Sequence, residues 1–103
     1  MKLWILRHAK AEAHSATGRD QDRPLAQAGQ RACRGLNRWL ADSGLALPAV
    51  ILVSPAARTR QTATLSLAEL AAAEPRLCDA LWMASPRELA ELIHETKARK
   101  RVV

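Results

Sequence analysis

The chain has 103 residues, a length that predicts one domain. Hydrophobic residues make up 49% and charged residues 25%, a globular balance, and no apolar run approaches the roughly 20 residues that a membrane-spanning helix needs. The formal net charge is +6, and the excess of arginine suits a phosphorylated ligand because the planar guanidinium matches phosphate oxygens.

The first predicted elements are a strand, a loop and a helix. Bulky apolar side chains follow one another over Lys2–Leu6, which predicts a short buried strand. Residues 7–24 contain Gly, Ser, Thr, Asp and Pro without a period, so we predict a long loop, and such a loop in a small domain is usually functional. An apolar stripe from about Gln27 to Ser43 predicts a helix, with Gly44 as its C-terminal cap.

The middle of the chain repeats the order of strand and helix. Val50–Val53 is apolar and β-branched, which predicts a second buried strand. Ser54-Pro55 has the residue types of an N-cap and a first helical residue, so we predict a helix from there to about Ala73. Arg76–Cys78 is predicted as a third, short strand.

The last third begins with a strong helix signal. Ser85 and Glu88 have the spacing of a capping box, which predicts a further helix, and residues 101–103 are predicted to begin one more strand. Strands that alternate with helices predict an α/β fold with a mostly parallel sheet flanked by helices.

Two predicted strands end in residues suited to an anion. Arg7 and His8 follow the first strand, and Arg58 lies one turn into the helix after the second. Ligands of open α/β sheets bind beyond the carboxyl ends of the strands, and a helix N-terminus adds N–H donors. Because neutral imidazole is nucleophilic and arginine neutralises phosphoryl oxygens, we predict a phosphoryl site here. By these residues alone, a histidine that merely bonds a backbone carbonyl stays an alternative.

Three segments resemble a known family. Residues 6–12 (LRHAKAE) are similar to the RHG/RHA signature of the histidine phosphatase superfamily. Residues 22–29 (DRPLAQAG) resemble its RPLTxxG segment, and residues 54–63 (SPAARTRQTA) resemble its SPxxRxxQTA block. Their order and spacing also match, and the RHAKAE form and short length resemble SixA-type phosphohistidine phosphatases.

The resemblance implies a phosphoglycerate mutase-like fold and specific residue roles. His8 would accept the phosphoryl group from a phosphohistidine-bearing protein, and Arg7 and Arg58 would hold it, with no cofactor or metal ion. Arg23 would line the pocket; its alternative role is to anchor the loop through Asp20 or Asp22. The resemblance also suggests that three polar residues of the helix hold it against the sheet: Thr59, Gln61 and Thr62.

The sequence departs from the family pattern at its C-terminal end. The family has a second histidine in a Gly-His turn after a later strand, and neither His14 nor His94 lies in such a turn. The sequence stops about where that strand should begin. We therefore expect residues 1–103 to be the N-terminal part of a single family domain, incomplete at the C-terminus, with an exposed sheet edge that favours self-association.

Alternative functions are a non-catalytic phosphate-binding remnant and a small-molecule phosphomonoesterase. A nucleic-acid binder is a weaker alternative: the basic cluster at residues 97–101 suits it, but three tryptophans are the only aromatic residues available for stacking. The N-terminal apolar stretch is too short for a secretory signal, which predicts a cytoplasmic protein. Cys33 and Cys78 are predicted to be buried apolar thiols rather than a disulfide or metal ligands.

Overall fold

Helices and short strands alternate in the computed structural model, which describes residues 3–70 and 74–102. The strands pair in parallel, with Leu52 opposite Arg76 and Val53 opposite Leu77. The predicted α/β class with a parallel sheet is confirmed. In chain order the described elements are a 3-10 turn (Asp20–Asp22), α1 (Gln27–Ser43), β1 (Leu52–Val53), α2 (Ala57–Ser66), β2 (Arg76–Leu77), a second 3-10 turn (Asp79–Leu81) and α3 (Pro86–Val102).

Helix α1 has the predicted bounds and packs against α2. Gly44 ends it in the left-handed region (φ 71°), a conformation that glycine adopts without a Cβ clash. The buried face of α1 is narrower than the predicted apolar stripe. Of three residues in that stripe, Cys33 and Leu40 are buried, but Trp39 is 60% exposed. The buried apolar residues of the described chain form a small core around α1, α2 and β1: Leu25, Cys33, Leu40, Val53, Ala56 and Ala63.

The start of α2 differs from the prediction. Ser54 does not cap the helix, which begins at Ala57 after an extended Ala56. The Thr59 hydroxyl lies 2.7 Å from the Ser54 carbonyl and 2.9 Å from that of Ala56. A side chain from inside the helix thus holds the turn, and Ala56 is almost fully buried beside it.

The end of α2 is set by a contact with α1. The Asn37 amide donates to the carbonyls of Ser66 (3.0 Å) and Ala68 (2.8 Å), which satisfies them without a further helical turn. Glu69 then takes a positive φ of 62°. The predicted end near Ala73 was too late, although residues 71–73 themselves lie outside the described part of the chain.

The predicted strand Lys2–Leu6 is wrong for the residues that are described. Leu3 is 52% exposed and Ile5 86% exposed, and residues 3–6 have no strand pairing within the described chain. A strand needs a neighbour for its backbone N–H and C=O groups, and none of the described segments provides one. Lys2 lies outside the described residues. For the same reason the second strand is shorter than predicted: pairing with β2 covers only Leu52–Val53.

Helix α3 confirms the capping box and overturns the predicted last strand. The Glu88 N–H donates to the Ser85 hydroxyl and the Ser85 N–H to the Glu88 carboxylate, each at 3.2 Å. The helix continues through Val102, because no Gly or Pro interrupts good helix-forming residues after Pro86. Val103 lies outside the described residues. Both cysteines are free thiols; Cys33 is buried and Cys78 half-buried.

Candidate functional site

The imidazole of His8 is half-buried and has a defined hydrogen bond. Its Nδ1 lies 2.8 Å from the carbonyl oxygen of Ala9. Because a carbonyl oxygen can only accept, Nδ1 bears the hydrogen and the neutral ring keeps its lone pair on Nε2. This arrangement provides an Nε2 atom that is able to act as a nucleophile.

The segment after His8 is tied to helix α2. The Ala9 N–H donates to the Thr62 hydroxyl (3.1 Å), and that hydroxyl donates to the Arg58 carbonyl one turn earlier (2.7 Å). Thr62 is 4% exposed, so both bonds are shielded from water. One hydrogen bond therefore connects the residue after His8 to the helix that bears Arg58, and a second, within the helix, continues it to the Arg58 carbonyl.

The loop before α1 runs beside the same segment. Ala11 and Leu25 form an antiparallel bridge, and the Ala26 N–H donates to the Lys10 carbonyl at 2.9 Å. The Leu25 N–H donates to the Gln61 side chain on α2 at 2.7 Å. The predicted role of the polar α2 residues is thus corrected: Thr62 and Gln61 hold α2 to two loops rather than to the sheet.

The guanidinium of Arg58 is held on two sides. Its Nη1 donates to the Asp20 carbonyl (2.8 Å), and its Nη2 donates to the Asp20 carboxylate (3.1 Å). The side chain is 12% exposed, and the Trp82 ring lies under the guanidinium with 5.5 Å between the guanidinium carbon and the ring centre. Asp20 in the first 3-10 turn and Trp82 just after the second thus fix the direction of this arginine.

Arg23 meets the same carboxylate from the other side. Its Nε lies 2.9 Å from Asp20 Oδ1, and its Nη1 donates to the Glu12 carbonyl at 3.2 Å. Asp22, the other predicted anchor, instead accepts a hydrogen bond from Thr17 (2.7 Å). Two of the predicted ligand residues, Arg58 and Arg23, therefore converge on one oxyanion, the carboxylate of Asp20.

The two arginines keep Asp20 ionised. The hydrogen bond from Arg58 lowers the pKa of the Asp20 carboxyl below its ordinary value of 3.8, and the charges of Arg58 and Arg23 act in the same direction. The folded state therefore gains stability from this group above about pH 3.8 and loses it as the pH falls below that value through the lowered pKa.

This linkage predicts a pH-dependent effect of Asp20→Asn. The melting temperature of the variant should lie below that of the wild-type chain by a constant amount at neutral pH, and the difference should shrink below about pH 3.8. Thermal melts followed by circular dichroism at a series of pH values measure it, with Asp22→Asn as the control for removing a charge from the same turn. A difference that persists unchanged into the acid range would contradict the assignment.

The remaining predicted residue is placed differently. Arg7 is exposed and makes no hydrogen bond or ion pair with any residue in the described chain. His14 and His94 are also exposed, the first in the loop and the second on α3. Among the described residues, His8 is thus the one histidine joined to Arg58 by a short chain of hydrogen bonds.

Sequence reasoning missed part of this arrangement. Asp20 was considered only as an anchor for Arg23, and its contact with Arg58 joins positions 38 residues apart. Trp82 was not singled out, because a lone tryptophan in a turn has no local signal for stacking. Within the described residues, no group of three or more His, Cys, Asp or Glu side chains is arranged to hold a metal ion, and no helix has both the length and the apolar character to cross a membrane.

Comparison with known proteins identifies the family. Residues 3–97 match the sequence profile of the histidine phosphatase superfamily (branch 1). The chain belongs to the histidine phosphatase superfamily. A comparison with curated protein sequences returns no match.

Solved structures related to this histidine phosphatase superfamily member support the same assignment. A protein assigned as the phosphohistidine phosphatase SixA from Agrobacterium tumefaciens is 32% identical with a TM-score of 0.76, over 86% of this chain and 57% of that one. Its counterpart from Nakamurella multipartitia is 34% identical with a TM-score of 0.67, over 82% and 45%. A protein histidine phosphatase SixA in complex with tungstate is 28% identical with a TM-score of 0.64, over 74% and 47%. The chain thus spans about half the length of these proteins.

Proposed function

We propose that the chain is a phosphohistidine phosphatase that removes the phosphoryl group from histidine in a protein. The observation that supports this proposal most directly is the convergence of two guanidinium groups on one carboxylate, next to a segment that holds His8 with Nε2 free. Arg58 and Arg23 would bind the phosphoryl oxygens, and Arg7, beside the nucleophile, would complete the clamp. The positive charge comes from arginine, so the proposal invokes no metal ion or cofactor.

The proposed reaction has two steps. In the first, His8 Nε2 attacks phosphorus, the P–N bond to the substrate imidazole breaks, and the leaving nitrogen takes a proton from solvent. In the second, water attacks phosphorus and the P–N bond to His8 breaks, which releases inorganic phosphate and restores the imidazole. The arginines stabilise the charge that develops on the equatorial oxygens in both steps.

The relatives support the substrate class. Proteins assigned as SixA phosphohistidine phosphatases match this chain at 28–34% identity, and one of them was solved with tungstate, a tetrahedral oxyanion like phosphate. The cytoplasmic location predicted from the sequence, and self-association through a sheet edge, belong to the same proposal.

The proposal predicts a covalent intermediate on His8. After a brief reaction with a protein that carries [32P]phosphohistidine, the chain should hold a label that is stable in base and labile in acid. His8→Ala should reduce this label to background because the nucleophile is gone. His14→Ala is the matched control, since it removes an exposed imidazole from the same loop, and it should be labelled like the wild-type chain. Labelling of His8→Ala at the wild-type level would disprove the proposal.

A second candidate function is phosphate binding without turnover. It is favoured by the exposed positions of His14 and His94, which leave His8 as the single histidine in the described chain whose segment is hydrogen-bonded to α2 next to Arg58. The same experiment separates the two functions: phosphate binding without a phosphorylated intermediate would indicate a binding module. Faster hydrolysis of a chromogenic phosphate ester than of a phosphohistidine protein would instead favour a small-molecule phosphomonoesterase.

A further inference from the structure

The carboxylate of Asp20 makes the contacts that a bound phosphoryl group would make. Its two oxygens are divided between the arginines: Oδ2 accepts from Arg58 Nη2 at 3.1 Å, and Oδ1 lies 2.9 Å from Arg23 Nε. The carboxylate is thus an anion held between two guanidinium groups, by a hydrogen bond from Arg58 and an ion pair with Arg23.

The two sides of this contact differ in how firmly they are held. The side chains of Arg58 and Arg23 are 12% and 28% exposed, and Arg58 also stacks on Trp82. The side chain of Asp20 is 59% exposed, and it is short and faces solvent from a three-residue turn. An incoming anion therefore meets fixed arginines and a carboxylate that is free to rotate into water.

Charge decides which anion is able to replace the carboxylate. Asp20 presents one negative charge to the two arginines, whereas a phosphoryl group at neutral pH presents up to two charges and three acceptor oxygens. A small carboxylate with one negative charge would interact with the arginines no more strongly than Asp20 does, and Asp20 is already attached to the chain. The arrangement thus favours phosphoryl groups over simple carboxylates.

We propose that Asp20 is an intramolecular competitor that occupies the Arg58–Arg23 pair in the free protein and is displaced by the phosphoryl group of the substrate. This inference rests on the proposed function, because it assumes that the arginine pair binds phosphate. Occupation by Asp20 reduces the fraction of the protein that is ready to bind and lowers the apparent affinity by that factor. A role limited to holding the arginines in place predicts the opposite sign, because loss of Asp20 would then weaken phosphate binding.

Binding of inorganic phosphate to the full chain distinguishes the two roles. Isothermal titration calorimetry of the wild-type chain, Asp20→Asn, Asp22→Asn and Arg58→Ala gives the dissociation constants. We expect Asp20→Asn to bind phosphate roughly 3- to 10-fold more tightly than Asp22→Asn. Asp22→Asn is the matched control, because it removes the same charge from the same 3-10 turn, and Asp22 contacts Thr17 and Arg19 instead of the arginine pair.

Each outcome has a distinct meaning. Binding to Asp20→Asn that equals or falls below binding to Asp22→Asn overturns the competition, while loss of binding in Arg58→Ala would still support the proposed function. Failure of Asp20→Asn to bind at all also overturns the competition alone, whereas binding that Arg58→Ala leaves unchanged overturns both.

A measurement on the wild-type chain keeps the inference testable if Asp20→Asn does not fold. The chain has four aspartates, Asp20, Asp22, Asp42 and Asp79, so labelling their carboxyl carbons with 13C gives a simple spectrum. Saturating phosphate at neutral pH should shift the Asp20 signal, because its hydrogen bond from Arg58 is lost, and leave the Asp22 signal in place. An unchanged Asp20 signal at saturation would overturn the inference.

Discussion

Arg58→Ala is expected to lower turnover of a phosphohistidine substrate roughly 10²- to 10³-fold, the usual effect of removing one preorganised donor from a charged transition state. Arg58 is the most shielded of the proposed clamp residues; one of its N–H groups donates to the Asp20 carboxylate and another to the Asp20 backbone carbonyl. Steady-state kinetics with a phosphohistidine protein measure the effect. Arg58→Lys should recover only part of the rate, because lysine keeps the charge but loses the planar fork.

Arg60→Ala is the control for the loss of a positive charge from the same helix. Arg60 is exposed and lies two positions from Arg58, so its side chain leaves the opposite face of α2. Turnover by Arg60→Ala should stay within about twofold of wild type, since the charge of an exposed side chain on the opposite face of the helix is largely screened by salt. Equal losses in the two variants would show that overall charge, rather than the Arg58 contact, supports the reaction.

Gly29→Ala is expected to have the largest effect on stability. Gly29 is buried in the first turns of α1, and an added Cβ would collide with the Lys10 carbonyl and lie 3.0 Å from the Lys10 nitrogen. Both are backbone atoms, which cannot turn aside like a side chain. We expect a loss of about 3 kcal/mol or more, since overpacking of this kind forces backbone shifts. The melting temperature should fall by roughly 10 °C or more, at about 4–8 °C for each kcal/mol.

Gly35→Ala is the matched control on the same helix. An added Cβ at Gly35 has no atom within 4 Å among those described, so the substitution should raise stability by about 0.5–1 kcal/mol through better helix propensity. A loss of stability in Gly29→Ala together with a gain in Gly35→Ala would establish the contact between Gly29 and Lys10. A loss for Gly29→Ala no larger than about 1 kcal/mol would show that α1 adjusts to the added methyl group.

The elements that were predicted well are those with strong local signals. Helix α1 was predicted at Gln27–Ser43 from its apolar period and Gly44, and the start of α3 from the capping box of Ser85 and Glu88. In each case the residues that define the element contact one another within a few positions. Local hydrogen bonds and periodicity were therefore sufficient.

The elements that were predicted poorly depend on distant partners. The end of α2 is set by Asn37 on another helix, and the segment at residues 3–6 has the composition of a strand without a described neighbour to pair with. A strand is defined by pairing, which composition alone does not determine. The helical course of residues 101–102 shows the converse, because the β-branched Val102 does not stop an established helix.

The candidate site also combines residues that local motifs indicated with contacts that they did not. Arg23 and Arg58 were found from motifs, and the structure brings both to one carboxylate. The contact between Asp20 and Arg58, and the stacking of Trp82, were not predicted, because each joins segments that are far apart in the chain. The roles of His8, Arg7, Arg58 and Arg23 in phosphoryl binding and catalysis stay predictions.

The hydroxyl of Thr62 has a mechanical consequence for any reaction at this site. One oxygen atom links the backbone beside His8 to the carbonyl of Arg58, so the loop and the helix share a single pivot. A displacement of this turn of α2 is therefore passed on to the backbone beside His8.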